Sequence, residues 1–217
     1  MKTLDLTLYL VTDRLQLEET AFLKQIEEAI KGGVTLVQLR EKECSSREMF
    51  ELACKVKEIT KKYQVPLIID DRVDIALAVD ADGVHLGQSD LPVAVARKIL
   101  GEHKIIGATA KTVEQAIQVV REGADYLGVG AIYPTTTKVQ THITKVSILN
   151  QICQAVVCPV VAIGGLNLSN CDILKESPIS GIAVVSAIMK AVDAQTAAKE
   201  LKGEIERMMQ KINFVEN

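Results

Sequence analysis

Short apolar runs and longer stretches with a helical period alternate from one end of the chain to the other. The apolar runs are mostly unalternated, which is typical of parallel strands buried on both faces. They predict eight strands, at Leu8–Val11, Val34–Leu39, Leu67–Ile69, Gly83–Leu86, Ile105–Ala108, Tyr126–Val129, Val160–Ile163 and Gly181–Val185. The intervening patterns predict helices at Ala21–Lys31, Glu48–Lys62, Pro92–Leu100, Val113–Glu122, Val146–Ala155 and Ala194–Met209, with short helices after strands 3 and 7.

This strict order of strand and helix predicts a closed (β/α)₈ TIM barrel, of the α/β class, as a single domain over residues 1–217. An open doubly wound sheet is the alternative, but no GxGxxG motif follows the first strand. The segment Gly130–Lys145 after strand 6 is long for a loop, and loops of that length are usually functional, often as lids.

The amino-acid composition argues against several classes of function. The net charge of −3 argues against a nucleic acid or an anionic membrane as partner. The apolar run near the first residues is too short for a signal peptide or a spanning helix. Five cysteines without a CxxC pair indicate reduced thiols and a cytoplasmic protein, and the three histidines lack the spacing of a zinc site.

In barrels of this kind the active site lies at the carboxyl ends of the strands. The predicted ends carry Gln38-Leu39-Arg40-Glu41-Lys42 (strand 2), Asp70-Asp71-Arg72 (3), Gln88-Ser89-Asp90 (4), Thr109 (5), Thr135-Thr136-Thr137-Lys138 (6), Gly164-Gly165 (7) and Ser186 (8). Adjacent strands lie about 4.8 Å apart, so carboxylates at strands 3 and 4 can share one cation. Without a nearby histidine or thiolate this favours Mg²⁺, completed by waters and phosphate oxygens.

Basic residues and small residues predict two anion sites at the same mouth. Arg40, Lys42 and Lys138 would neutralise a polyphosphate beside the cation. Gly164-Gly165 and the helix that opens at Ser186 would hold a second phosphate, although the two glycines also fit a plain tight turn. Two anion sites imply two phosphorylated substrates or one substrate phosphorylated at both ends, and the metal beside the lysines indicates pyrophosphate as a leaving group.

Asp90 by itself has two interpretations. Ser89 or Asp90 could cap the following helix, with Pro92 in its first turn. Asp90 could instead hold a ligand, which its position at a strand end favours once the site is considered as a whole.

Six segments resemble the thiamine-phosphate synthase family, in the family's order, between about Leu8 and Lys190. They are LYLVTD, VQLREK, DDRVDIALAVDADGVHLGQSDLP, GVGAIYPTTTK, PVVAIGGL and GIAVVSAI. The resemblance implies a (β/α)₈ barrel that joins a hydroxymethylpyrimidine diphosphate to a thiazole phosphate with Mg²⁺, releasing pyrophosphate and forming thiamine phosphate. It also implies that the aminopyrimidine ring expels pyrophosphate and that the thiazole nitrogen captures the resulting cation, without a strong base.

The resemblance also assigns residues to these ligands. It assigns the pyrimidine diphosphate to Gln38, Arg40 and Lys42, with Thr109 and Lys138 as further diphosphate contacts. It assigns the thiazole phosphate to Thr135, Thr137, Gly165, Val185 and Ser186. The other expected substrate contacts are Leu39, Glu41, Asp70 and Thr136. Asp71 and Asp90 become the Mg²⁺ ligands, which leaves Ser89 to cap the helix. Arg40, Lys42 and Lys138 become the catalytic groups that stabilise the leaving pyrophosphate.

Two departures from the family pattern matter. Asp70 stands where the family usually has asparagine, so it is expected to bind an auxiliary cation, to be protonated, or to turn aside and pair with Arg72 or a backbone amide. The stretch VQTHITKVSIL after Lys138 lacks the expected proline–glycine pattern, which predicts a differently shaped lid.

Two other functions stay open at this point. Thiazole-phosphate tautomerases share the barrel, but they use a histidine after strand 5, where this chain has Lys111, and lack the paired carboxylates. A non-catalytic phosphate-binding barrel is the second alternative. Homo-oligomerisation is also left open.

Overall fold

Eight parallel strands, each hydrogen-bonded to the next along the chain, form a closed barrel, because β8 also pairs with β1. A computed structural model describes residues 4–14, 16–135 and 142–215, the side chains of 211–215 excepted. The strands are β1 Leu8–Val11, β2 Leu36–Leu39, β3 Leu67–Asp70, β4 Gly83–Leu86, β5 Ile105–Ala110, β6 Tyr126–Gly130, β7 Val160–Ile163 and β8 Gly181–Val184. The predicted single-domain (β/α)₈ barrel is confirmed.

Over the described residues, six α-helices lie between consecutive strands and two more follow β8. They are α1 Glu19–Lys31, α2 Ser46–Lys62, α3 Val73–Ala78, α4 Val93–Leu100, α5 Val113–Arg121, α6 Val146–Ala155, α7 Ser186–Met189 and α8 Ala194–Val215. The connection after β7 holds a short 3₁₀ helix, Cys171–Leu174. Over the described ranges, no helix is both long enough and apolar enough to cross a membrane.

The start of α4 differs from the prediction. Pro92 is the N-cap residue rather than part of the first turn, and no side chain caps the helix. The Asp90 carboxylate accepts a hydrogen bond from the Gly87 backbone N–H at 2.6 Å, so it closes its own turn after β4. Capping by Asp90 or Ser89 is therefore a wrong prediction, because the turn ends before the helix begins.

Alternation along the strands separates two apolar layers, since successive side chains of a strand point to opposite faces. One buried cluster fills the space between the strands and the helices and includes Leu8, Leu10, Val37 and Leu39. A second, smaller cluster fills the barrel interior, with Tyr9, Val11, Leu36, Ile68, Tyr126, Val161 and Ala183 among its members. The inward positions nearest the carboxyl ends of the strands are therefore the ones that can line a site.

Candidate active site

A cavity of about 480 Å³ opens at the carboxyl ends of the strands, above the apolar interior cluster. It brings together most of the residues predicted from the strand ends. Those that line it are Gln38, Arg40, Lys42, Asp70, Asp71, Asp90, Thr109, Thr135, Gly165, Val185 and Ser186. The prediction that these residues share one barrel mouth therefore agrees with the geometry.

Two of the predicted contacts lie elsewhere. Leu39 is fully buried in the layer between the strands and the helices, because it alternates with the inward-facing Gln38. Glu41 is not among the cavity-lining residues, and burial raises the pKa of its carboxyl. No side-chain contact between either residue and a ligand in the cavity follows from this geometry, and contact through their backbone stays a prediction.

Three predicted residues cannot be placed. Thr136, Thr137 and Lys138 lie outside the described residues, as does the centre of the predicted lid. The flanks of that segment are described and meet each other, since the Thr144 backbone N–H donates to the Ala131 carbonyl at 2.8 Å.

Two basic side chains from the end of β2 face the carboxylates at the end of β3. The Lys42 Nζ lies 2.9 Å from the Asp70 Oδ2 and also donates to the Asp71 carboxylate. Burial opposes protonation of Lys42, but these two ion pairs outweigh it and raise the pKa of the ammonium group. The Arg40 Nε lies 3.7 Å from the same Asp70 oxygen. The cations predicted to bind a diphosphate are therefore held at the mouth by carboxylates.

Asp70, the departure from the family pattern, faces the cavity. Burial and then the neighbouring Asp71 raise the pKa of Asp70, while Lys42 and Arg40 oppose the rise. Arg72 does not pair with the Asp70 carboxylate, because its guanidinium binds Asp74 at 2.6 Å. The alternative in which Asp70 turns aside to Arg72 is therefore wrong.

An unusual backbone conformation directs Asp71 towards Asp90. Asp71 has φ of 59°, a left-handed conformation that aspartate and asparagine tolerate better than other non-glycine residues. Its backbone N–H donates to the His85 carbonyl at 2.9 Å, which ties the end of β3 to β4. The carboxyl groups of Asp71 and Asp90 then interact, and burial together with Asp71 raises the pKa of Asp90.

These two adjoining carboxylates fit a divalent cation. Burial and then the neighbouring Asp71 raise the pKa of Asp90, and a hard cation would relieve the cost of two charged carboxylates at this place. Over the described part of the chain, no cluster of three or more His, Cys, Asp or Glu side chains could hold a metal. Two protein carboxylates, with the other ligands supplied by phosphate and water, are the usual arrangement for Mg²⁺.

The loop after β7 owes its glycines to packing. Gly164 and Gly165 have φ of +102° and +66°. A Cβ atom on Gly164 would lie 2.4 Å from the Ala131 Cβ, and one on Gly165 would lie 2.7 Å from the Tyr133 Cβ. Both glycines therefore let the loop after β6 pack closely on the loop after β7. A tight turn therefore explains why both residues are glycines. That their backbone N–H groups also bind a phosphate stays a prediction.

Sequence reasoning missed several residues that line the cavity. They include Tyr9, His85, Lys111 and His142. Tyr9 and His85 could have been found from strand alternation. The residues on either side of each pack between the strands and the helices, so Tyr9 and His85 themselves point into the barrel. Lys111 directly follows β5, so the rule that selected the other strand ends also covers it.

Known proteins resemble this chain along most of its length. The family described as thiamine monophosphate synthase matches residues 8–188. A thiamine-phosphate synthase of Clostridium tetani is 55% identical over 202 residues, covering 93% of this chain and 97% of that protein. A thiamine-phosphate synthase of Enterococcus faecalis is 52% identical over 205 residues, covering 94% and 97% of the two chains.

A solved structure agrees with the sequence comparison. The thiamine phosphate pyrophosphorylase of Pyrococcus furiosus is 40% identical, with a TM-score of 0.86. The superposition covers 95% of this chain and 98% of that one. The similarity therefore extends over the whole barrel and is not limited to the strand-end motifs.

Proposed function

The chain belongs to the thiamine monophosphate synthase family, a group of transferases in thiamine biosynthesis, and from this premise we propose its substrates. It joins 4-amino-2-methyl-5-(diphosphooxymethyl)pyrimidine to a 4-methyl-5-(2-phosphoethyl)thiazole. The products are thiamine phosphate and pyrophosphate. The observation that carries the proposal is that one cavity is lined by Arg40, Lys42, Asp71 and Asp90. All four residues lie in the part of the chain that matches the family.

The basic groups bind and stabilise the diphosphate. Arg40 offers a planar fork to two phosphate oxygens, and Lys42 offers a compact charge that already stands beside the carboxylates. Negative charge grows on the leaving pyrophosphate as its bond to the pyrimidine methylene breaks. Preorganised cations lower the barrier because they are in place before that charge develops.

Asp71 and Asp90 would hold Mg²⁺, which when bound supplies positive charge to the phosphate oxygens. The left-handed backbone of Asp71 and the hydrogen bond from Gly87 to Asp90 fix the two carboxylates towards each other. The aminopyrimidine ring releases electrons towards its methylene, and the thiazole nitrogen then forms the new carbon–nitrogen bond. The protein orients the two rings and needs no strong base for this step.

The phosphate of the thiazole occupies the other side of the mouth. Thr135, Gly165, Val185 and Ser186 line that part of the cavity. Placing the two anions on opposite sides brings the uncharged ring ends of the substrates together over the barrel interior. The proposed location of the reaction is the cytoplasm, because all five cysteines are free thiols.

Pyrophosphate release tests the proposal. Supplying both substrates and Mg²⁺ to the purified protein is expected to produce pyrophosphate and thiamine phosphate in equal amounts, and omitting any component is expected to stop both. Isomerisation of the thiazole phosphate without the pyrimidine would identify a tautomerase instead. Binding of either substrate without any product would identify a non-catalytic phosphate-binding barrel.

Replacing Asp70 with asparagine is expected to tighten diphosphate binding several-fold, because Lys42 and Arg40 lose a competing carboxylate. Burial and Asp71 raise the pKa of Asp70, so its charge disappears at higher pH than that of an ordinary aspartate. Wild-type affinity should therefore increase as pH falls through that pKa, and Asp70→Asn should flatten this dependence and the dependence on Mg²⁺. Calorimetric titration with pyrophosphate measures both.

Asp74→Asn is the matched control, since Asp74 pairs with Arg72 at the surface near the same strand end. It is expected to leave both dependences unchanged. If pyrophosphate affinity depended on pH and on Mg²⁺ in the same way in wild type and Asp70→Asn, Asp70 would not act on the diphosphate.

A further inference from the structure

A chain of hydrogen bonds crosses the barrel interior and links two of the predicted substrate contacts, Gln38 and Thr109. The Gln38 amide nitrogen donates to the Tyr9 hydroxyl, which lies 2.7 Å from the Tyr126 hydroxyl. The Tyr126 hydroxyl lies 3.1 Å from the His85 Nδ1, and the His85 Nε2 lies 3.0 Å from the Thr109 Oγ1. Five strands contribute one residue each, so the chain of contacts exists only in the closed barrel.

Close packing holds this chain in place. Tyr9 and Tyr126 are 1% and 0% exposed, and their rings meet edge to face with centroids 5.8 Å apart. A Cβ atom on Gly107 would lie 2.1 Å from the Tyr126 Cζ, and one on Gly128 would lie 3.1 Å from the His85 Cε1. Glycines in β5 and β6 therefore provide the space that the tyrosine and histidine rings occupy.

The number of protons available decides which group donates and which accepts in each of these hydrogen bonds. Each hydroxyl has one proton to donate, and a neutral imidazole carries one ring proton. Tyr9 accepts from Gln38 and therefore directs its own proton to Tyr126, which in turn donates to the His85 Nδ1. The ring proton of His85 then lies on Nε2 and is donated to Thr109. Burial raises the pKa of both tyrosines, so both remain protonated donors.

The opposite direction leaves a buried proton unsatisfied. If Thr109 donated to His85, the His85 Nδ1 would donate to Tyr126, and Tyr126 to Tyr9. The Tyr9 proton would then have no acceptor in the described structure, because its remaining hydrogen-bond neighbour is the donating nitrogen of Gln38. An unmet buried donor costs more than a hydrogen bond gains, so this direction is disfavoured.

We propose that Tyr126 and His85 are positioning residues that keep the Thr109 hydroxyl available as a hydrogen-bond donor to the diphosphate. The same order of protons leaves the Gln38 amide oxygen as the acceptor that faces the cavity. Thr109 thereby offers a hydrogen-bond donor to the phosphate of one substrate. Gln38 offers an acceptor to an N–H group on the ring of the same substrate. The part that concerns the diphosphate rests on the proposed function.

The tautomer of His85 tests the order of protons without any substrate. A long-range ¹H–¹⁵N NMR spectrum distinguishes protonated from unprotonated ring nitrogens, and His85→Gln identifies the signals among the three histidines. The wild type is expected to carry its ring proton on Nε2. Tyr126→Phe is expected to give a mixture of tautomers, because Nδ1 loses its donor. A proton on Nδ1, or on both nitrogens, in the wild type would overturn the proposal.

Tyr63→Phe is the matched control, since its hydroxyl also donates to a single acceptor, the Glu27 carboxylate, but lies outside the cavity. The spectrum of His85 is expected to stay unchanged in this variant. If Tyr126→Phe does not fold, the wild-type tautomer still decides the question.

Kinetics test the effect on the substrate. Thr109→Val and Tyr126→Phe are each expected to lower kcat/KM for the pyrimidine diphosphate, by about tenfold and about threefold, and to leave KM for the thiazole phosphate unchanged. The double variant should be no worse than Thr109→Val, because both changes remove one donor. Additive losses would overturn the positioning role. An Nε2-protonated His85 in a protein that releases no pyrophosphate would instead overturn the proposed function and leave the order of protons standing.

Discussion

Asp71→Asn and Asp90→Asn are each expected to lower kcat by at least about tenfold, and raised Mg²⁺ is expected to restore part of the loss. A divalent cation at the reacting centre contributes several kcal/mol to transition-state stabilisation. Each variant removes one negative charge from the pair that would hold it. Initial rates of pyrophosphate release over a range of Mg²⁺ concentrations measure the loss and the rescue.

Asparagine is the suitable replacement because it tolerates the left-handed backbone of Asp71. Asp80→Asn is a matched control: Asp80 also has positive φ, 52°, but its side chain is 88% exposed and pairs with Lys104 away from the cavity. The control should keep wild-type rates. Wild-type rates at ordinary Mg²⁺ in both site variants would refute the assignment of Asp71 and Asp90 as metal ligands.

The two anion sites should respond to different substitutions. Ser186→Asp is expected to weaken binding of the thiazole phosphate by at least about tenfold, because it adds a like charge where that phosphate would lie. Pyrophosphate binding should change little. Arg40→Ala should do the reverse, since it removes a charge-assisted contact from the diphosphate alone. Calorimetry with each ligand separately measures both affinities.

Ser186→Asn separates the added charge from the added size, because asparagine and aspartate have nearly the same shape. Arg207→Ala controls for the loss of an arginine, since Arg207 pairs with Glu204 on the surface of α8. Loss of the same ligand in Ser186→Asp and Arg40→Ala would show that the two anions are not on opposite sides of the mouth.

The positions of the strands were predictable because each is a short apolar run with little competing signal. Six of the eight begin and end within one residue of the prediction, while β2 begins two residues later, at Leu36, and β5 continues two residues further, to Ala110. The start of α4 was not predictable from its capping residues. Ser89 and Asp90 have capping side chains, but the Gly87–Asp90 hydrogen bond takes the carboxylate before the helix begins at Val93.

The candidate site was predictable in outline because parallel strands bring their carboxyl ends to one edge. That rule placed Arg40, Lys42, Asp71 and Asp90 together from sequence alone. It does not state which way a side chain points, so Leu39 was included although it faces the helices. A strict application of strand alternation would have excluded Leu39 and drawn attention to His85.

The amino-acid sequence by itself determined the order of strands and helices, the family and the residue types at the barrel mouth, because these depend on local pattern and motif. Only the tertiary structure decided which groups contact one another. Lys42 meets the carboxylates of Asp70 and Asp71, and the Tyr9–Tyr126–His85 chain joins strands far apart in the sequence. The physical reason is barrel closure, which pairs β8 with β1. Closure places the inward-pointing side chains of strands that are distant in sequence in one small interior, and no local sequence pattern contains that information.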